Sequence, residues 1–337
     1  MRVEKINHAY FPAFDVFRGI GILFVVAAHT PIQSALLNSI RPLGALGVHM
    51  FFALSGFLIT YRLVEEYEQA GAIDLKAFYK RRARRILPPA VFYLALLMLL
   101  GPGLKLLATS TKEIFASLLF YRNIVQPPLP DAWYTAHFWS LSLEEQFYLF
   151  WPGVLVLAGP KRGRTGWFAL AMIAACTAWR IHVFANDPGA NIYRPDLLAD
   201  HLLWGCWFGL KWPAIERRIS ARIRTVLGLA AIPLAALLIY LQPRFWQPLF
   251  AFAVAAGFIL CAVAARDWAA KLSPIRTLGK ASYDCYIWQS LFLPMPLIGL
   301  TMPVWQRLPW SYLAIAAITA ASFVATFPRM RRVIQTA

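Results

Sequence analysis

Two charged residues on one apolar stretch carry the most chemical information in this chain. Residues 14–30 are apolar except for Asp15, Arg18 and His29. Arg18 and His29 lie eleven positions apart, close to three helical turns, so a helix here puts both on one face about 16 Å apart along its axis. An ionisable group inside a membrane helix is expensive and is therefore read first as a functional site. An imidazole there is suited to taking a proton, and a guanidinium to holding an anion. The plainer alternative is that Arg18 snorkels to one membrane interface and His29 caps the other end.

Further polar groups gather at five places. Residues 138–158 open with Trp139-Ser140-Leu141-Ser142-Leu143-Glu144-Glu145 and continue to Tyr148 and Trp151. Adjacent residues on a helix point about 100° apart, so one of the two carboxylates is expected to face a site. This segment enters from the same side as His29, and a carboxylate level with an imidazole is what a general base and its orienting partner need. The aromatics equally fit an interfacial belt. Residues 43–61 carry His49 near their outer end, with Gly44, Gly47, Ser55 and Gly56 small enough for close helix approach. The run from Phe78 to Pro89 holds Arg82 and Arg85, with Pro88 and Pro89 expected in the first turn of the following span. Guanidinium groups at such an entrance bind phosphate bidentately or simply meet anionic lipid. Arg194-Pro195-Asp196 opens a later span with Asp200 and His201 behind it, either as a structural charge pair or as a contact for an acceptor. Residues 278–289 give a polar start to the ninth span, which must therefore face protein or water.

The elements that position these groups are membrane helices. The chain is 59% hydrophobic and its mean hydropathy is positive, which predicts an all-α integral membrane protein. Ten transmembrane helices are expected, at roughly 14–30, 43–61, 88–104, 138–158, 167–184, 197–213, 225–241, 246–265, 283–300 and 310–326. A weaker stretch at 111–122 suits an interfacial or re-entrant helix. Most of the 33 Lys and Arg fall in alternate connecting segments, which the positive-inside rule assigns to the cytoplasm together with both termini. The net charge of +17 is then topological signal and headgroup contact, and no nucleic-acid partner is needed. Cys176, Cys206, Cys261 and Cys285 lack metal-type spacing and read as small core residues, and no metal site is expected. No cleavable leader is recognised, and residues 1–337 are expected to form one transmembrane domain.

Four spaced motifs resemble the membrane acyltransferase-3 family. They are Phe14-Asp15 through Arg18-Gly19 to His29; Gly47-Val48-His49 through Phe51-Phe52 to Ser55-Gly56-Phe57; Arg82-Ala83-Arg84-Arg85 to Pro88; and Trp139-Ser140-Leu141-Ser142-Leu143-Glu144 to Phe147-Tyr148 and Pro152. Their order covers almost the whole chain. Two positions depart from the family pattern: His49 stands where an acid is frequent, and Trp288-Gln289 where Trp-His is frequent. Gln289 can replace the hydrogen bonding of a histidine there, not its proton transfer.

The resemblance implies ten helices, a cytoplasmic acyl-coenzyme A donor (acetyl-CoA being the commonest) and transfer to a hydroxyl of an envelope glycan, glycolipid or other small acceptor. It also implies the stand-alone form, without an appended hydrolase-like domain, in a bacterial inner membrane. His29 is then expected as general base, with Glu144 or Glu145 orienting its ring. Arg18, Arg82 and Arg85 are expected to hold the donor's phosphates. Ser140, Ser142, Tyr148 and Asn123 are candidate oxyanion donors, and His49, Arg194 and Asp196 candidate acceptor contacts. The oligomeric state, homo-oligomer included, stays open. The rival reading is a transporter or flippase, for which intramembrane charges are equally normal.

Overall fold

The computed structural model describes residues 10–30, 32, 34–125, 133–241, 247–264, 271–293, 306–307 and 309–335. Among these the regular structure is entirely helical. The helices are α1 (Pro12–His29), α2 (Ala35–Ile40), α3 (Leu43–Ala70), α4 (Leu75–Met98), α5 (Thr111–Leu118), α6 (Trp133–Ala136), α7 (Phe138–Ala158), α8 (Arg162–Asn186), α9 (Pro195–Arg218), α10 (Ala221–Tyr240), α11 (Gln247–Ala264), α12 (Ser273–Lys280), α13 (Ser282–Phe292) and α14 (Trp310–Gln335). Each of the ten apolar stretches is helical over nearly all of its described length; residues 246 and 265 of the eighth and 294–300 of the ninth fall outside the described residues.

Five helical stretches are long and apolar enough to cross a membrane: Pro12–His29, Ala35–Ala70, Leu75–Gly103, Arg162–Asn186 and Ala221–Tyr240. Gln247–Ala262 and Trp310–Val324 are shorter apolar helices. Large apolar side chains face outward on these helices; Phe92 is 63% exposed and Trp167 72%. Such a surface has no reason to face water and suits lipid. The chain is an integral membrane protein.

α1 is the central element. It packs against α3, α11, α12 and α13. Contact with α12 is backbone to backbone, because a Cβ on Gly279 would strike the carbonyl of Asp15, and one on Gly19 the carbonyl of Ile275. Only glycine permits that approach. One apolar core joins α1 and α3 to α9 and α11 through residues such as Phe14, Phe57, Phe208 and Ile259. A second joins Ile22 and Val25 of α1 to Tyr93 of α4, Phe138 of α7 and Trp288 of α13.

The basic segment before Pro88 is not a loop. Gly71, at φ +74°, ends α3, and the Asp74 carboxylate accepts the amide hydrogen of Ala77 to start α4 at Leu75. Pro88 and Pro89 therefore lie inside α4 rather than in its first turn. The sequence expectation placed the start at the apolar boundary, whereas the Asx cap sets it thirteen residues earlier. Arg82 and Arg85 become neighbours one turn apart on a single helix.

Candidate active site

A cavity opens where α1, α3, α4, α7 and α13 meet. Arg18, Arg82 and Arg85 supply three guanidinium groups from two helices. Glu144 and Glu145 enter from α7. The other polar wall is made of hydroxyls: Ser55 of α3, Ser140 and Tyr148 of α7, and Ser282, Tyr283 and Tyr286 of α13. Val48, Phe51 and Phe52 complete an apolar side.

The cationic end is braced on every side. Arg82 lies over the Tyr148 ring, with its guanidinium carbon 3.5 Å from the ring centroid, a cation–π contact worth more in a desolvated place than in water. Arg18 approaches Asp15 one turn back at 3.7 Å. Tyr283 donates its hydroxyl hydrogen to the Ile86 carbonyl at 2.9 Å and so ties α13 to α4 beside Arg85. Tyr286 and Ser140 share a hydrogen bond of 2.6 Å, and each also reaches the carbonyl of His137.

His29 occupies the opposite end of α1 and is not part of this cavity's lining. Its Nδ1 lies 2.7 Å from the carbonyl oxygen of Val25. A carbonyl only accepts, so Nδ1 carries the hydrogen and Nε2 keeps its lone pair free. Trp133 flanks the ring with centroids 5.6 Å apart, and the Trp133 indole N–H is itself held by the carbonyls of Ser290 and Leu293. Arg41 binds the chain on both sides of His29. Its guanidinium donates to the carbonyls of Ala28, Thr30 and Ile32 at 3.1–3.3 Å and to the Asn38 side chain at 3.0 Å.

A family model described as an acyltransferase domain matches residues 11–327. The chain belongs to the membrane acyltransferase-3 family. It is similar to the peptidoglycan O-acetyltransferase OatA of Listeria monocytogenes, at 26% identity over 96% of this chain. It is also similar to the O-acetyltransferase OatA of Staphylococcus aureus, at 27% identity over 85% of this chain. The chain spans about half the length of these relatives, 55% and 51% respectively. No solved structure matches it.

Within this acyltransferase-3 domain the expected site residues divide. The cavity gathers Arg18, Arg82, Arg85, Glu144, Glu145, Ser140 and Tyr148. Both carboxylates line it, not one, because the cavity wraps around α7 and meets both directions. The orienting contact on His29 comes from its own helix rather than from a carboxylate, since Glu144 stands two turns along α7 from His137 and among the arginines.

Five candidates have other partners. Asn123 is fully buried and exchanges two amide hydrogen bonds with Gln146, at 3.1 and 3.0 Å, so its donor is already used. Ser142 accepts the backbone hydrogen of Arg122 at 3.1 Å and lies off the cavity. His49 packs ring to ring on His201, with centroids 4.1 Å apart, beside the fully buried ion pair of Arg180 and Asp200. Arg194 and Asp196 pair with each other at 2.6 Å, and Asp196 also accepts from the Trp179 indole.

The sequence reading missed Ser55, which it took for a packing residue, and the individual tyrosines of α13. Their signal was the polar opening of the ninth span, recognised as facing protein or water without a role being assigned.

Proposed function

We propose that this protein transfers an acyl group, acetyl in the simplest case, from cytoplasmic acyl-coenzyme A to a hydroxyl of an envelope glycan. The observation that carries this is the division of one helix between an end whose Arg18 lines a cavity with Arg82 and Arg85 and an end that carries the His29 imidazole. Arg18, Arg82 and Arg85 form a clamp suited to the donor's phosphates, and coenzyme A is the common acyl carrier that offers them. From that clamp the cavity runs along hydroxyl groups to Tyr286 of α13. The name of the Listeria monocytogenes relative supports a peptidoglycan-type acceptor.

In this reading the acceptor oxygen attacks the thioester carbonyl carbon while His29 Nε2 removes its hydrogen. The new C–O bond forms, the C–S bond breaks, and the imidazolium returns the proton to the leaving thiolate. The Val25 carbonyl fixes the tautomer throughout, the task a buried carboxylate performs in other triads. Glu144 and Glu145 offset the arginine charges when no phosphate is present and offer acceptors to the amides of the donor's arm. Transfer is direct; labelled protein trapped without acceptor would show an acyl-His29 step instead.

Topologically the proposal requires ten crossings, both termini in the cytoplasm, and residence in a bacterial inner membrane, with the arginine end of α1 inward. His29→Ala and His29→Gln are expected to lower transfer from radiolabelled acetyl-coenzyme A into the glycan fraction by about 10²–10⁴-fold. Full activity in either correctly inserted variant defeats the proposal.

A further inference from the structure

Gln289 of α13 is fully buried, and neither its amide nitrogen nor its amide oxygen has a hydrogen-bond partner. Of its neighbours on the same helix, the Trp288 indole N–H is also unmet, whereas the others that line this face are engaged. Tyr283 donates to Ile86, Tyr286 to His137, and the carbonyls of Ser290 and Leu293 accept from Trp133. An amide left unmet at both ends in an apolar interior is costly, and the usual occupant of such a place is a ligand group or water.

The position of Gln289 says which ligand group. Ser282 and Tyr286 line the cavity, and Gln289 follows them on the same face of α13, at i+7 and i+3. It stands about 4.5 Å further along the axis than Tyr286. The next turn carries the Ser290 and Leu293 carbonyls that hold Trp133, against which His29 packs. Gln289 thus lies between the far end of the cavity and the imidazole.

We propose that Gln289 is a catalytic residue whose amide N–H binds the carbonyl oxygen of the donor thioester. This rests on the acyl-transfer reading above. When the acceptor oxygen bonds to the carbonyl carbon, the π electron pair moves onto the carbonyl oxygen, and the Gln289 amide donates to that oxyanion. When the C–S bond breaks, the pair returns and the hydrogen bond relaxes. Gln289 neither gains nor loses a proton. The fully buried, unpaired amide of the free protein is the donor kept ready for that oxygen.

The test compares Gln289→Leu, Gln289→His and His29→Gln by transfer of label from radiolabelled acetyl-coenzyme A into peptidoglycan in permeabilised cells, with melting of the detergent-purified proteins alongside. Gln289→Leu is expected to lower kcat about 100-fold with KM for the donor changed less than about threefold. Its melting temperature is expected to hold or rise, because an unmet polar group has been removed. Gln289→His restores an N–H donor and is expected to recover transfer to within about tenfold of the unaltered protein, with a new limb in the pH profile. Gln289→Leu at full rate beside an inactive His29→Gln overturns the Gln289 assignment and leaves the acyl-transfer reading standing. Full rates in both overturn both. Loss of transfer that tracks a lowered melting temperature, with Gln289→His equally inactive, overturns the assignment in favour of packing.

Discussion

The imidazole of His29 is held by a group that cannot be mutated away. Val25 contributes a backbone carbonyl, so no side-chain substitution at that contact releases the ring. The side chain that does matter for its position is Arg41, whose guanidinium gathers the carbonyls flanking the end of α1. Arg41→Ala is expected to lower kcat about ten- to a hundredfold while leaving KM for the donor nearly unchanged, read from initial transfer rates. Asn123 offers the opposite case. Its amide is spent on Gln146, so Asn123→Ala is expected to cost about 1–3 kcal/mol of stability, seen as earlier thermal melting, with the rate per folded molecule unchanged. A fall in that rate at constant stability would return Asn123 to the list of oxyanion donors.

At the scale of elements, close approach and end contacts hold the site's walls. The Gly279 crossing brings α12 onto α1 beside Asp15, the partner of Arg18. Gly279→Val has no flexible side chain to push aside and is expected to destabilise by about 3 kcal/mol or more, lowering the yield of folded protein in detergent. At the basic end of the fold, Arg162 at the start of α8 binds Glu68 near the end of α3 at 2.6 Å. That hydrogen bond holds the Glu68 carboxyl below its ordinary range. The stabilisation is therefore complete above the ordinary carboxylate range and fades as pH falls through the lowered folded value. Glu68 is half exposed, so the effect stays within about 1 kcal/mol. Melting curves of Glu68→Gln should lose this acid dependence, and an unchanged dependence would remove Glu68 from the account.

For the molecule as a whole, the charge pattern and the cavity make one statement about direction. Arg82→Ala together with Arg85→Ala is expected to raise KM for acetyl-coenzyme A about tenfold or more, with kcat much less affected, as titration of the donor would show. Sidedness can be read with thiol probes, since Cys176, Cys206, Cys261 and Cys285 are all buried. In sealed right-side-out vesicles, Gly189→Cys is expected to react with an impermeant maleimide and Gly163→Cys only after the membrane is opened. The all-helical, membrane-embedded character was legible beforehand, because apolar length is an average over many residues and survives local error. The arginines and the α7 carboxylates were legible for the same reason that they are rare: charge in an apolar helix has few uses. Depth along neighbouring helices was not legible, which is why Glu144 was matched to His29 and Asn123 to an oxyanion. The span start misplaced at Pro88 shows a similar limit, since a cap at Asp74 is a one-residue signal set against a long basic run. Pro88 and Pro89 have a last consequence. Neither has an amide hydrogen, so the carbonyls of Arg84 and Arg85 lose their rungs, and the two halves of α4 are expected to open separately. Deuterium uptake across residues 75–87 should therefore slow when donor nucleotide is bound, while the half beyond the prolines keeps its own, unaltered clock.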